Sequence, residues 1–192
     1  RGAKVALIDK GDFASFTSQN SSNLVWGGIK YLETFEFSLV RQLCLSRNKL
    51  IRSYPSSIKE IRFFTNLEKG FRFNRFSLFF GAIIYWIIGN FFTSPPKLLS
   101  KKNINKTEPL INTDFSIGGF EYSDAFLFDG DARFVFSFIR SAIENNCSAI
   151  NYMESLGSYR NEQNLWNTKL RNKISGEDIE VQSHLIINAC GP

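Results

Sequence analysis

Apolar and polar positions follow one another along the chain in blocks that read as an α/β protein. Val5-Ala6-Leu7-Ile8 is a short apolar run with a β-branched residue at each end, the pattern of a parallel strand buried on both faces. Residues 11–23 are dense in Gly, Asp, Ser, Thr, Gln and Asn and predict a loop. Across 36–54, Leu39, Val40, Leu43, Leu50 and Ile51 recur with Arg41, Arg47, Lys49 and Arg52 between them. That spacing predicts an amphipathic helix with a structural role, closed by Pro55. Residues 61–65 read as a strand. Residues 76–92 hold no charged side chain over 17 positions. They read as a helix, either buried, dipping into a membrane face or spanning one, with Gly81, Gly89 and Asn90 weighing against a span.

The second half continues in the same way. Residues 97–117 are polar and basic, and a loop crossing between domains is expected. Phe134, Val135, Phe138, Ile139, Ala142 and Ile143 form a helical stripe that Asn145-Asn146 can end. Residues 149–153 read as a strand. An antiparallel meander follows, with turn signals at 161–164 and 175–178. Its last strand, 185–189, is expected to return to the parallel sheet.

Composition narrows the classes. The chain of 192 residues has 43% hydrophobic and 21% charged residues, which fits a folded protein and not a disordered one. Its net charge of +5 comes from scattered basic residues. No tract combines a dense basic patch with interleaved aromatics, which argues against nucleic-acid binding. A mildly basic surface, or an attraction to anionic membranes or phosphorylated ligands, both fit. Cys44, Cys147 and Cys190 are far apart, and with the single His184 they form no metal motif. Free thiols in a reducing compartment are expected, and no metal. Gly191-Pro192 follows a predicted strand directly, as Arg1-Gly2 precedes one, so a fragment of a longer protein is expected.

Several residues carry candidate chemistry. Asp9 ends the first strand, where an acid can hydrogen-bond ribose hydroxyls or simply face solvent. In such units a glycine-rich phosphate loop lies about 20 residues earlier, which here falls before residue 1. The hydroxyls and N–H groups of 11–23 can satisfy phosphates, or can form an ordinary capped surface loop. Gly27-Gly28 permits close backbone approach to something flat or crowded, or a tight turn. Lys30 and Tyr31 offer a cation and a hydroxyl to an anion, or serve as surface and core. Asp129 and Asp131 read as turn and cap, Asp131 as a helix N-cap.

These stretches also carry a resemblance. Arg1-Gly2-Ala3-Lys4-Val5-Ala6-Leu7-Ile8-Asp9, Asp12-Phe13-Ala14-Ser15, Thr17-Ser18 and Ser21-Ser22-Asn23-Leu24-Val25-Trp26-Gly27-Gly28-Ile29-Lys30-Tyr31-Leu32-Glu33 resemble the FAD-dependent glycerol-3-phosphate dehydrogenase family. That family belongs to the flavoproteins similar to D-amino-acid oxidase. Gly118-Gly119-Phe120-Glu121-Tyr122-Ser123-Asp124, Asp129-Gly130-Asp131-Ala132-Arg133 and Asn188-Ala189-Cys190-Gly191-Pro192 extend the resemblance.

The resemblance implies a Rossmann-type FAD-binding α/β domain with a β-meander, lacking its first strand and glycine loop, plus part of an inserted substrate domain. Its implied bounds are 1–55 and 131–192 for the FAD-binding domain and 56–130 for the inserted region. It implies that Asp9 holds the adenosine ribose and that Thr17, Ser18, Ser22 and Asn23 lie in the loop along the pyrophosphate and flavin. Gly27 and Gly28 would pass the isoalloxazine ring, and Lys30 and Tyr31 would approach the substrate phosphate. Ser155 would meet the adenine, and Ala189 and Gly191 would pack on the flavin nucleotide. Catalytic groups would lie beyond residue 192. The implied activity is oxidation of sn-glycerol 3-phosphate to dihydroxyacetone phosphate, with quinone as electron acceptor. A cytoplasmic protein, peripheral on the inner face of a membrane and homodimeric, is the matching expectation. Three positions depart from the family pattern: Asn23 for Lys, Trp26 for His and Lys30 for Arg. They leave open another hydroxy or amino substrate on the same fold. A non-catalytic membrane-associated module is a rival of another class, drawn from 76–92 and the positive charge.

Overall fold

The computed structural model describes residues 2–191; Arg1 and Pro192, which belong to the first and last of the motifs above, lie outside them. In chain order the elements are β1 (Ala6–Ile8), β2 (Leu24–Val25), a 3-10 turn (Ile29–Leu32), α1 (Phe37–Ser53), β3 (Ile58–Glu68), α2 (Arg75–Ile88), β4 (Lys97–Leu99), α3 (Lys101–Thr107) and β5 (Ser116–Leu127). Then come α4 (Asp131–Glu144), β6 (Ser148–Ile150), β7 (Met153–Arg160), β8 (Trp166–Asn172) and β9 (Asp178–Ser183). They gather into a continuous unit, 22–130, and a split unit built from the residues up to 21 and those from 131 onward.

In the split unit, β1 pairs in parallel with β6, Leu7 opposite Ala149. Helix α4 packs on β6 and begins at Asp131, so that residue lies inside the helix and not ahead of it. It ends through Asn146, whose left-handed φ of 64° suits an amide side chain at a helix C-terminus. Of the predicted stripe only Ile139 is fully buried. The burial expected on both faces of β1 does not occur either: Leu7 is 37% and Ile150 43% exposed. Two strands and one helix cover one side of a parallel sheet at most, and burial on both faces needs a layer on each.

The strand expected over 149–153 is two strands. The chain turns at Tyr152, φ 53°, so β6 stops at Ile150 and β7 starts at Met153. Strands β7, β8 and β9 form the antiparallel meander, with a register shift between Ser155 and Gly157. Its turns are built by asparagine. Asn161 Oδ1 accepts the N–H groups of Gln163 and Leu165, and Asn172 Oδ1 accepts those of Ile174 and Ser175. The strand expected at 185–189 is absent. A strand exists only against a hydrogen-bonding neighbour; this run joins none of the described sheets, and Leu185 and Ile187 stay 72% and 80% exposed.

In the continuous unit, β5 is the central strand. Strand β3 pairs along one edge from Ile58–Leu127 to Glu68–Ser116, while β2 and β4 share the other edge. Alternation puts Phe120, Tyr122 and Asp124 on one face of β5 and Glu121 and Ser123 on the other. Helices α1 and α2 cover the first face: Ala82 packs with Phe120 and Leu67, and Tyr85 with Val40 and Cys44. Residues 22–55, grouped above with the first domain, therefore pack with 56–130. Helix α2 is capped by Asn74, whose Oδ1 accepts the Phe76 N–H, and closed by Gly89. It buries Ala82 and Tyr85 and leaves Phe76, Phe80 and Ile87 exposed. Among the described residues no helix is long and apolar enough to cross a membrane. The loop expected over 97–117 contains β4 and α3: Ser100 caps α3 by accepting the Asn103 N–H, and Ile104 anchors it in the core.

Candidate functional site

The predicted site residues divide between the two units. In the split unit, Asp9 ends β1, at the carboxyl end of a parallel pair, where α/β sheets open their ligand crevices. Its backbone is tied on both sides: its N–H donates to Ile150 O at 3.1 Å and its carbonyl accepts the Met153 N–H at 2.8 Å. The Asp9 side chain is half-buried, and Oδ1 accepts the Gly11 N–H at 2.9 Å. Among the described residues no donor reaches Oδ2. Ser155 lies two residues past Met153, exposed, at the register shift in β7. The meander start and the end of β1 are thus sewn together through Met153 and Asp9, with Ser155 two residues further along β7.

Residues 12–20 are successive turns; Ser15 N–H bonds Asp12 O and Asn20 N–H bonds Thr17 O, both at 3.2 Å. Thr17 is exposed and Ser18 half-buried. Ala189 and Gly191 lie in an exposed segment outside any ladder, where Asn188 Oδ1 accepts the Cys190 N–H at 3.1 Å. A half-buried carboxylate following a parallel strand, with one oxygen held by a backbone N–H, fits the ribose part of a dinucleotide such as FAD.

In the continuous unit, Ser22 is exposed and Asn23 holds a left-handed φ of 59°, its carbonyl accepting the Leu127 N–H at 2.8 Å. Strand β2 then hands the chain to Trp26, Gly27 and Gly28. Gly28, φ 81°, opens the 3-10 turn that carries Lys30 and Tyr31, and its carbonyl accepts the Tyr31 N–H at 3.0 Å. Both side chains of this pair are exposed. The Trp26 ring leans on Tyr31 with centroids 5.8 Å apart. Burial pushes the Tyr122 hydroxyl up to about 12, Asp124 adds to that, and a hydrogen bond with Trp26 works against it. Indole N–H is a donor only, so Trp26 provides no proton acceptor where a histidine would.

Gly27 is crowded from the protein side. A Cβ there would lie 2.1 Å from the Tyr85 hydroxyl, 2.8 Å from Arg47 Nη1 and 2.9 Å from Cys44 Sγ. The Gly27 N–H donates to both oxygens of Asp124, at 3.1 and 3.3 Å. Asp124 is 0% exposed and Arg47 2%. Oδ1 also accepts Arg47 Nη1 at 3.0 Å and the Ala125 N–H at 3.2 Å, while Oδ2 accepts the Tyr85 hydroxyl at 2.8 Å. Arg47 is aimed in turn by Asn48 Oδ1, at 3.1 and 2.9 Å, and Asn48 Nδ2 donates to Gly89 O at 2.8 Å. Burial pushes the Asp124 carboxyl up, against the pull of Arg47 and Tyr85. For Arg47, burial opposes the charge, but Tyr85 and Asp124 outweigh it and its value rises. Burial also raises the Cys44 thiol, leaving a poor nucleophile.

The sequence reading missed this cluster, placing Arg47 on the polar face of α1. A signal was available. Val40, Cys44 and Arg47 stand at i, i+4 and i+7, the core face, and Asp124 continues the Phe120–Tyr122 alternation. A charge on the core face of each of two elements marks a buried pair.

The family model described as FAD dependent oxidoreductase (DAO) matches residues 1–192. Aerobic glycerol-3-phosphate dehydrogenase of Staphylococcus aureus strain USA300 is 31% identical over 194 residues, covering 100% of this chain and 34% of that protein. The protein of the same name from strain MRSA252 is 30% identical over the same shares. The chain thus spans about a third of the length of the curated relatives it matches. Among solved structures, glycerol-3-phosphate dehydrogenase from Bacillus halodurans complexed with FAD has a TM-score of 0.67 at 19% identity, covering 100% of this chain and 30% of that one. L-proline dehydrogenase from P. horikoshii has a TM-score of 0.63 at 17% identity, covering 98% and 46%. These likenesses show the fold.

Proposed function

The chain belongs to the DAO family of FAD-dependent oxidoreductases, and from that premise we propose that the whole protein oxidises sn-glycerol 3-phosphate to dihydroxyacetone phosphate and passes the electrons to quinone. The observation that carries this reading is the likeness, across the whole chain, to proteins named aerobic glycerol-3-phosphate dehydrogenase. In this reading Asp9 holds the adenosine ribose through its open oxygen. Ser155 lies against the adenine, and Ala189 and Gly191 pack on the nucleotide. Thr17, Ser18, Ser22 and Asn23 line the pyrophosphate and flavin, and the backbone of Gly27 and Gly28 passes the flavin ring. Bound FAD supplies the two-electron acceptor for the carbinol hydrogen.

The chain's own residues bind and orient. Lys30 presents a compact positive charge to the phosphate, and Tyr31 beside it offers a hydroxyl donor. Trp26 fills space and braces Tyr31; since it accepts no proton, the carbinol proton leaves to another group. A second reading, oxidation of a different hydroxy or amino compound, is favoured by that same Trp26 and by Lys30, which lacks the bidentate fork of an arginine.

Anaerobic titration of the full-length protein tests both readings. Glycerol 3-phosphate should bleach the visible flavin band. A flavin that only another hydroxy or amino compound bleaches establishes the second reading. A full-length protein without flavin overturns both.

We also place the protein in the cytoplasm, against the inner face of a membrane. The exposed Phe76, Phe80 and Ile87 of α2, with Arg72 and Arg75 alongside, support this. Co-sedimentation of the full-length protein with anionic vesicles is the expected result, and its absence refutes the placement.

A further inference from the structure

We infer that Asp124, Arg47 and Tyr85 are positioning residues, which set the course of the 27–31 loop and through it the place of Lys30 and Tyr31. The inference rests on the reading of that pair as the substrate-phosphate site.

The loop also has apolar anchors, since Ile29 and Leu32 pack against Val40, Cys44 and Tyr85, and Cys44 Sγ donates to the Gly27 carbonyl at 3.6 Å, but none of these engages the Gly27 N–H. Strand β2 before it is two residues long, and Lys30 and Tyr31 after it are exposed. Between them the Gly27 N–H is buried, and an unpaired buried N–H is costly. Among the described residues its one acceptor is the Asp124 carboxylate. That carboxylate cannot drift, since Arg47 from α1 and Tyr85 from α2 hold one oxygen each. Arg47 cannot drift either, since Asn48 ties its guanidinium to Gly89 at the end of α2. Three elements therefore converge on one backbone amide. The lack of room at the Gly27 Cα removes the remaining freedom, because any shift toward the helices meets Tyr85, Arg47 or Cys44. From Gly27 the path to Lys30 is three residues, through a left-handed Gly28 and one turn of 3-10 helix.

Stability alone does not account for such a cluster. Well-packed apolar side chains in place of a buried ion pair are often neutral or stabilising. What an apolar trio lacks is a directed acceptor for one chosen N–H. The ion cluster supplies direction, and the loop it directs carries the exposed cation.

The test uses the full-length protein with Tyr85→Phe, which keeps ring and volume, and Asp124→Asn. Lys30→Ala is the reference for loss of the cation itself. Two measurements are made: hydrogen exchange of peptides covering 24–33, and KM and kcat for glycerol 3-phosphate. Tyr85→Phe should speed exchange in 24–33 roughly tenfold, the scale of one hydrogen bond to a charged group. It should raise KM in the direction of Lys30→Ala while holding kcat within about twofold, the pattern of lost binding and not lost chemistry. Asp124→Asn should exceed it in both. If neither variant changes exchange in 24–33 beyond the rest of the unit, the inference is overturned, and Tyr85→Phe decides this even where Asp124→Asn fails to fold. Faster exchange with an unchanged KM overturns it too. A wild-type protein that does not act on glycerol 3-phosphate refutes the proposed function instead, and the exchange arm then judges the positioning by itself.

Discussion

Asp9 and Asp124 are the same side chain put to opposite uses. Asp124 sits inside β5 with no exposure, and its oxygens accept from Gly27, Ala125, Arg47 and Tyr85. Asp9 sits at the end of β1, half-buried, with one oxygen taken by Gly11. A carboxylate has about four lone-pair sites. At Asp124 the protein fills them; at Asp9, among the described residues, it fills one. The difference separates a carboxylate enclosed by the core from one left half-buried after a strand, and acidity or motif alone does not draw that line.

The largest effect is expected at Asp124. Asp124→Ala strands the Arg47 charge in the core and should cost the continuous unit about 3–5 kcal/mol. Denaturant unfolding measures this, and a loss below about 1 kcal/mol would mean that Arg47 finds water or another partner. Gly27→Ala attacks the same cluster from the loop. Its methyl would overlap Tyr85, Arg47 and Cys44, and overpacking of this kind costs about 1–3 kcal/mol. An unchanged midpoint would show that the pocket behind Gly27 yields.

Asp9→Ala is the opposite case. It should leave unfolding within about 0.5 kcal/mol of wild type. FAD binding by the full-length apoprotein should weaken by about 1–3 kcal/mol as charge-assisted ribose bonds are lost. Unchanged affinity in a flavin titration would remove Asp9 from the site.

A third carboxylate sharpens the contrast through pH. Burial pushes Glu121 up, but Arg62 and Lys97 pull harder and its value falls below the ordinary glutamate range. A lowered folded value means that its stabilisation is present above that range and is lost as pH falls through the folded value. Asp124 has the opposite sign. Its value is raised, so its contribution is greatest in acid and is lost as pH rises through the folded value. Glu121→Gln should therefore flatten the acid limb of the unfolding profile. An acid limb that stays as steep would assign it to other groups.

What the sequence revealed follows the range of the forces involved. The loop after β1, the extent of α1 and the asparagine turns of the meander are local matters of spacing and turn chemistry, and they stand near where the pattern put them. The expected strand at 185–189 does not form, because pairing needs a neighbour and its composition says nothing of one. Helix α3 was hidden by its polarity, with Ile104 alone as buried anchor. In the split unit the place of Asp9 after β1 was legible because its signal lies at one strand end. In the continuous unit Gly27, Gly28, Lys30 and Tyr31 stand together in the chain, but Arg47, Tyr85 and Asp124 meet at Gly27 only after α1, α2 and β5 have packed.

The crowding at Gly27 also governs how this protein can change. Positions 27, 44, 47, 85 and 124 share one pocket, so a substitution at any of them is judged by what occupies the other four. Single variants drawn from a random library at these positions will mostly fail, while rare combinations survive, which is strong epistasis confined to one spot. Lys30 escapes that confinement because it is exposed, whereas Tyr31, 37% exposed, is tied to Trp26 and Gly28. Change is thus open to evolution, natural or directed, one step at a time at Lys30, and only in concerted steps on the inner side of the loop.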